Sequence, residues 1–311
     1  MIYTITVNPS IDYVVQLPQM TLGSVNRLAH TAKLPGGKGI NVSQILNDLD
    51  QPNKALGFIG GFTGTFISDA LKAKGLDCHF TPIADDTRIN VKIHAEEETE
   101  LNGAGPDITA KETEAFYTEL ANLTPNDVVV MSGSLAPSLP DSFYYDIIQK
   151  VEAAGANFVI DTTGEALKKT LPSHPLVVKP NNHELADYYH TTFNSQADII
   201  AAGQRMLAEG AQHVLISMAG DGGLLITKDA VYFSPAPKGQ VINSVGAGDS
   251  MIGGFVGTFA KTHDAVESFR YGLACGSATA FSEDIATAPR SMKFCHSLTL
   301  KNSLTKERTV N

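Results

Sequence analysis

The chain has 311 residues, 43% of them hydrophobic, enough for one large core or a core with an appendage. Its formal net charge of -10 and pI near 5.3 exclude the broad basic surface of a nucleic-acid-binding protein, but not a local basic pocket for a phosphorylated metabolite. Three widely spaced cysteines, Cys78, Cys275 and Cys295, offer neither a metal spacing nor a disulfide framework, and no apolar run is long enough to span a bilayer. The opening MIYTITVNPS lacks the parts of a signal peptide, so a reduced, cytoplasmic setting is expected.

Strand-like and helical patterns alternate along the chain. Residues 2–7 read as a strand, and 39–49 as a helix with Ile40, Val42, Ile45, Leu46 and Leu49 on one face. A strand at 55–59 precedes a helix at 65–74, and 127–131 leads to a helix over 142–154. Short apolar runs at 158–160 and 176–178 lead to helices near 165–171 and from about 182. A helix over 196–209 is followed by a strand at 213–217. This order predicts right-handed crossovers and a mostly parallel, covered sheet.

Two segments break the rhythm. Residues 11–34 hold only short apolar pieces, Tyr13 to Val15 and then Val25. Residues 88–101 alternate apolar and polar, the mark of a strand with one wet face, and Glu96 to Glu98 read as a hairpin tip. Together they predict a small antiparallel sheet standing off the main one. It serves either as a lid that excludes water or as a plain surface hairpin. The final stretch, 301–311, is polar and expected to fray.

Polar or glycine-rich motifs follow five of the strand-like runs, where ligands bind in open α/β sheets. Asn8, Pro9, Ser10 and Asp12 end the first run; Asp12 suits sugar hydroxyls, and an Asx turn is the plain alternative. Pro35 to Asn41 carries Gly36, Gly37 and Gly39 before a helix, with Lys38 and Asn41 as candidate phosphate and hydroxyl partners. It is not a Walker A motif. Arg88 opens the alternating strand and suits a bidentate phosphate contact. Asn181 and Glu184 share a face of a starting helix, either holding Mg²⁺ through water or forming a reciprocal cap. Ser217 to Gly223 is a flexible turn, suited to nucleotide phosphates or to a hairpin. Gly246, Ala247, Gly248 and Asp249 open an apolar helix. Amides at such a terminus attract phosphate oxygens, and the carboxylate can take a hydroxyl proton.

The ordered set resembles the phosphofructokinase B branch of the ribokinase-like sugar kinases. The resemblance covers about residues 1–287, and its most specific parts are GGKGINV at 36–42, TRINVK at 87–92, SGSL at 132–135, KPNNHEL at 179–185 and VGAGDSM at 245–251. It implies a single ribokinase-like domain over 1–311: a Rossmann-type three-layer α/β sandwich with a mostly parallel sheet and a β-sheet lid built from about 11–34 and 87–103. It implies ATP and Mg²⁺ as partners in phosphorylating a ketohexose phosphate, fructose 1-phosphate or tagatose 6-phosphate. A homodimer through the lid is implied; nucleic-acid or membrane partners are not.

Position by position, Asp249 matches the catalytic base, and the amides of Gly246, Ala247 and Gly248 match the anion hole. Asp12, Arg27, Gly37, Lys38, Asn41, Arg88 and Ser134 match sugar-phosphate positions, Arg27 reaching toward a partner subunit's substrate. Lys179, Asn181, Ser217, Gly220, Asp221, Gly222, Gly276 and Ser277 match nucleotide positions, and Glu184 with Asn181 the Mg²⁺ element. The ATP loop departs from the family at Ala219, which takes the place of the first glycine. If that position needs a positive φ, alanine is strained there.

Overall fold

A computed structural model of the protein describes residues 1–295, 298 and 300–302. The chain opens with β1 (Ile2–Thr6), β2 (Ser10–Gln16), β3 (His30–Gly36) and α1 (Lys38–Asp48). Next come β4 (Asn53–Gly60), α2 (Gly61–Ala73), β5 (Cys78–Ile83), β6 (Arg88–His94), β7 (Glu98–Asn102) and α3 (Ala110–Thr118). The middle holds β8 (Val128–Ser132), α4 (Phe143–Ala153), β9 (Asn157–Asp161), α5 (Gly164–Thr170), α6 (Asn182–Tyr188) and α7 (Gln196–Ala208). The last part is β10 (Val214–Ser217), β11 (Gly223–Ile226), β12 (Val231–Ser234), α8 (Ala247–Thr262), α9 (Ala265–Ala280), α10 (Ala288–Cys295) and β13 (Lys301–Asn302).

Five parallel strands in the order β5-β4-β1-β8-β9 form the main sheet. Strand β8 shows why it forms. All five of its residues are buried, with Val128 and Val130 on one face and Val129 and Met131 on the other. A strand covered on both faces needs this unbroken apolar run. One face packs on α1, α8 and α9 through Val42, Leu46, Phe255 and Phe269. The other packs on α3 and α4 through Phe116, Phe143 and Ile147. Phe255 is fully buried, so truncating it to alanine costs about 3–5 kcal/mol.

The run 176–178 is not a named strand, contrary to expectation. Among the described residues a single bridge in it pairs Val178 with Val214; Asn181 pairs Ser217 just beyond it. Leu176 N donates to Phe158 O at 2.8 Å and Ser217 N to Pro180 O at 3.2 Å. Pro180 lacks a donor and α6 starts at Asn182, so a ladder cannot continue there. This segment still sutures the parallel sheet to the antiparallel sheet β10-β11-β12-β13.

The third sheet has the order β3-β2-β6-β7. It is not wholly antiparallel: β2 and β6 run parallel, with Ser10 opposite Arg88 and Asp12 opposite Asn90. Both strands continue outward from parallel main-sheet strands, β1 and β5, so they leave in the same direction. Lys301 and Asn302 pair with β12, so they are ordered rather than frayed; residues 303–311 lie outside the described residues. Among the described residues no helix is long and apolar enough to cross a membrane.

Candidate active site

In the main sheet the strand order reverses beside β1, between β4 on one side and β8 on the other. Crevices beyond the carboxyl ends of strands at such points take ligands. Four chain exits meet there: Asn8 after β1, Gly133 and Ser134 after β8, Asp161 at the end of β9, and Lys179 after the suture segment. Asn8 Nδ2 donates to Leu135 O at 3.3 Å and to Ala104 O at 3.1 Å, binding two of the loops together. The buried Tyr144 hydroxyl donates to Gly133 O at 3.0 Å and pins the Ser134 loop from below; Ser134 itself is exposed.

Helix α1 enters the crevice because Gly37 adopts φ 140 at its N-cap, where a Cβ would meet Thr6 Cγ2 at 2.5 Å. Only glycine fits that turn. Thr6 Oγ1 accepts the Ile40 amide at 2.9 Å, which fixes the first turn of the helix against β1. Asn41 then faces the start of α8, and its Nδ2 donates to Asp249 Oδ2 at 2.9 Å.

Helix α8 begins at a left-handed Gly246, φ 76. Asp249 lies in its first turn, only 6% exposed. Burial pushes its carboxyl up to about 6; the Asp161 charge pushes the same way and the Asn41 hydrogen bond opposes it. Ala247 N donates to Ser244 O at 3.2 Å, so this amide is already engaged, unlike the expected anion-hole donor. The amides of Gly246 and Gly248 have no hydrogen-bond partner among the described residues. A Cβ on Gly248 would meet Lys179 Nζ at 2.9 Å, so that ammonium lies directly over the turn.

Asp161 is the residue that motif reading missed. Its Oδ2 pairs with Lys38 Nζ at 2.8 Å and its Oδ1 with Lys179 Nζ at 3.8 Å. Burial works against its charge, but Lys179 and Lys38 prevail and hold the carboxyl below the usual range. Burial likewise opposes charge on Lys38, yet Asp161 prevails and raises it. The available signal was position: Asp161 ends a strand on the ligand side. Lys38 was expected at the sugar's own phosphate; here its ammonium pairs with Asp161 and its side chain stays half exposed.

Arg88 is partly engaged by the backbone around it. Its Nε and Nη2 donate to Asn8 O at 3.2 and 3.0 Å, and its Nη1 to Gly103 O at 2.8 Å. A guanidinium has five N–H donors, so two remain. Asp12 Oδ1 accepts from Ser10 Oγ at 2.7 Å and from the buried Asn90 at 3.0 Å. Its Oδ2 lies 3.7 Å from Lys92 Nζ. Asn90 and Lys92 were not singled out from sequence. Arg27 lies apart, on the exposed loop between β2 and β3.

Asn181 and Glu184 form the reciprocal cap of α6. Asn181 Oδ1 accepts the amides of His183 and Glu184, and Glu184 Oε2 accepts the Asn181 amide at 2.8 Å. Glu184 Oε1 remains for a ligand. One hard oxygen donor of this kind fits Mg²⁺, which keeps most of its water and takes few protein ligands. The Ser217 turn closes on itself: Met218 N donates to Gly222 O at 2.9 Å and Gly222 N to Ala219 O at 3.1 Å. Ala219 there has φ 49, the left-handed value feared from its sequence. Gly276 brings α9 against the first turn of α8; a Cβ there would meet Ala247 O at 3.0 Å. Ser277 follows it, half-buried.

Comparisons with known proteins agree with this architecture, which is that of the ribokinase-like fold. The chain is 45% identical over 287 residues to a 1-phosphofructokinase of Bacillus subtilis (strain 168), covering 92% of this chain and 95% of that protein. It is 33% identical over 286 residues to a D-tagatose-1-phosphate kinase of Bacillus licheniformis, covering 92% and 94%. The crystal structure of a putative phosphofructokinase from Staphylococcus aureus superposes with a TM-score of 0.87 at 42% identity, covering 97% and 99%. The sequence model of the pfkB family carbohydrate kinases matches residues 5–290, and the chain belongs to that family.

Proposed function

We propose that the protein transfers the γ-phosphoryl group of ATP to the 6-hydroxyl of fructose 1-phosphate, giving fructose 1,6-bisphosphate. One observation carries the reading: a buried carboxylate, Asp249, oriented by Asn41 at the amide-rich start of α8 and overlooked by Lys179. Such a carboxylate suits a general base for an alcohol. The 1-phosphofructokinase relative at 45% identity supports the choice of sugar.

In this reading the sugar lies under the β3-β2-β6-β7 sheet, which acts as the lid. Asp12, fixed by Ser10 and Asn90, orients hydroxyls together with Asn41 and the Ser134 loop. The two remaining N–H groups of Arg88 meet the resident phosphate. Asp249 takes the 6-hydroxyl proton as the oxygen attacks the γ-phosphorus. The amides of Gly246 and Gly248 receive charge from the transferred group. The ATP phosphates run between Lys179 and the Ser217–Gly222 turn, with Ser277 beside the adenine. Bound through water to Glu184, Mg²⁺ would offset charge on the terminal phosphates. The whole is mostly positioning and charge stabilisation.

The third sheet and its loop expose Leu22 at 85% and Val25 at 88%, with Ile89 and Leu101 also open. Exposed apolar side chains gathered on one element favour a partner surface. A second copy of the chain fits, with Arg27, two residues from Val25, carried into the partner's crevice.

Coupled ADP release with fructose 1-phosphate, tagatose 1-phosphate, tagatose 6-phosphate and fructose 6-phosphate tests the reading. The expected result is the highest kcat/KM with fructose 1-phosphate. Tight binding without turnover of any of them would make the protein a sugar-phosphate sensor instead. The relative that is a D-tagatose-1-phosphate kinase makes the C4 epimer the second candidate.

A further inference from the structure

Lys38 is the first residue of α1, so a helix and not a loop fixes its backbone. Its surroundings differ from those of Arg88. The groups around Arg88 are Asn8, Gly103 and Asp12. Those acting on Lys38 are Asp161, Asp249 and Glu184. None is shared. Lys38 shares Asp161 with Lys179, which lies over the first turn of α8, so its ammonium belongs to the reacting end of the crevice.

The arrangement has a charge logic. Asp161 is flanked by two ammoniums, Lys38 at 2.8 Å and Lys179 at 3.8 Å. The Asp161 side chain is 11% exposed and that of Lys38 50%, so the carboxylate lies behind and the ammonium faces the opening. Lys179 reaches the first turn of α8 from its side of the same carboxylate. An anionic group arriving at the first turn of α8 meets Lys179, and Lys38 is held to the same carboxylate as Lys179 and feels the charge of Asp249. Asp161 keeps the two ammoniums apart and in place before the anion arrives.

We propose that Lys38 is a catalytic residue that contacts the γ-phosphoryl oxygens of the nucleotide during transfer, with Asp161 as the residue that positions it. The inference rests on the phosphotransfer reading above and moves Lys38 from the resident phosphate to the transferred one. In the step, the bond from sugar O6 to the γ-phosphorus forms. The bond from that phosphorus to the β,γ-bridging oxygen breaks, and ADP leaves with the electron pair. The hydroxyl proton goes to Asp249. Lys38 stays protonated throughout and offsets charge on the equatorial oxygens.

The test is titration of the wild type, Lys38→Met and Lys38→Arg with ADP and with the β,γ-imido analogue of ATP, in Mg²⁺ and without sugar. Steady-state kinetics with fructose 1-phosphate accompany it. Lys38→Met is expected to lose at least about tenfold in analogue affinity while ADP affinity stays within about twofold, the scale of one charged hydrogen bond. Its kcat falls by at least about 10²-fold and its KM for fructose 1-phosphate changes little. Lys38→Arg keeps the charge and recovers part of both losses. An unchanged analogue-to-ADP preference with weakened fructose 1-phosphate binding would return Lys38 to the resident phosphate and overturn the proposal. Equal loss of both nucleotides would overturn it too. Because the titration uses no sugar, a wrong sugar assignment appears separately, as a higher kcat/KM of the wild type with another sugar on the substrate panel.

Discussion

Asn41 and Asp249 lie 208 positions apart in the chain and are joined side chain to side chain at 2.9 Å. The bond occupies Asp249 Oδ2 and leaves Oδ1 without a hydrogen-bond partner among the described residues. It also ties the first turn of α1 to the first turn of α8, so the base is oriented by the two helices that frame the site. Asp249→Asn keeps the shape and removes the base. Expected is a fall in kcat of at least ~10²-fold with fructose 1-phosphate affinity within about threefold, measured by steady-state kinetics and calorimetry. Turnover near the wild-type level would refute the base assignment.

The Asp249 carboxyl is pushed up to about 6 by burial and by the Asp161 charge. As a base it must be ionised, so kcat/KM of the wild type falls below about pH 6. Asp161→Asn removes the charge that raises it and frees two ammoniums that lower it, so the acid limb moves to lower pH. The stability effect has the opposite sense to that of a salt-bridged acid. The folded protein binds this proton more tightly than the unfolded chain, so ionising Asp249 destabilises the fold. That penalty is complete above about pH 6 and disappears as pH falls toward the ordinary value of 3.8. It is on the order of 3 kcal/mol at most. Asp249→Asn is therefore more stable than the wild type at pH 7.5, and the gap narrows at pH 5. Equal melting-temperature gaps at the two pH values would remove the assignment of a raised carboxyl.

Much of this site was legible because glycine turns and polar motifs sit at strand ends, as at 36–41 and 246–249. The alternation in 88–101 announced the third sheet. Its parallel β2–β6 pairing was not legible, since alternation marks a wet face and says nothing of direction. Asp161 escaped because only a single glycine, Gly164, follows it and no glycine cluster does; the partners Lys38 and Lys179, brought from two other elements, make it a centre. The capping of α6 was one of two readings of Asn181 and Glu184, and sequence spacing does not choose between them.

Ala219 occupies φ 49 inside the Ser217–Gly222 turn. A left-handed alanine costs about 1–2 kcal/mol relative to a relaxed one. Ala219→Gly relieves that strain but loosens the unfolded chain, so the net gain is up to about 1 kcal/mol, or about 2 °C in melting temperature. The turn already holds the conformation glycine prefers, so the ATP KM is expected to change by less than about twofold. A lower melting temperature in the glycine variant would show that the loop is not strained at this position.

Val25 and Leu22 are the most exposed large apolar side chains described. A charge there leaves the core untouched and disfavours only a covered surface. Val25→Glu is expected to leave the melting of the monomer fold intact and to convert a dimer to a monomer in sedimentation. If Arg27 completes the partner's site, the KM for fructose 1-phosphate rises in the same variant. A wild type that sediments as a monomer at micromolar concentration would end this reading.

Glu184 has two tasks in the proposed reading, and one substitution separates them. Its Oε2 accepts the Asn181 amide at 2.8 Å, closing the cap of α6. Glutamine can make the same bond through its carbonyl oxygen, because a capping box accepts either side chain. Glu184→Gln therefore keeps stability within about 0.5 kcal/mol, whereas Asn181→Ala, which loses the cap itself, costs about 1 kcal/mol. The lost negative charge acts on the ion and, as the least of its partners, on Lys38. Mg²⁺ is held largely by water and phosphate, so removing one carboxylate weakens its hold without abolishing it. The half-saturating Mg²⁺ concentration of Glu184→Gln is then expected to rise by about tenfold, the effect of a changed outer partner. An unchanged Mg²⁺ dependence with normal melting would leave Glu184 as a cap alone.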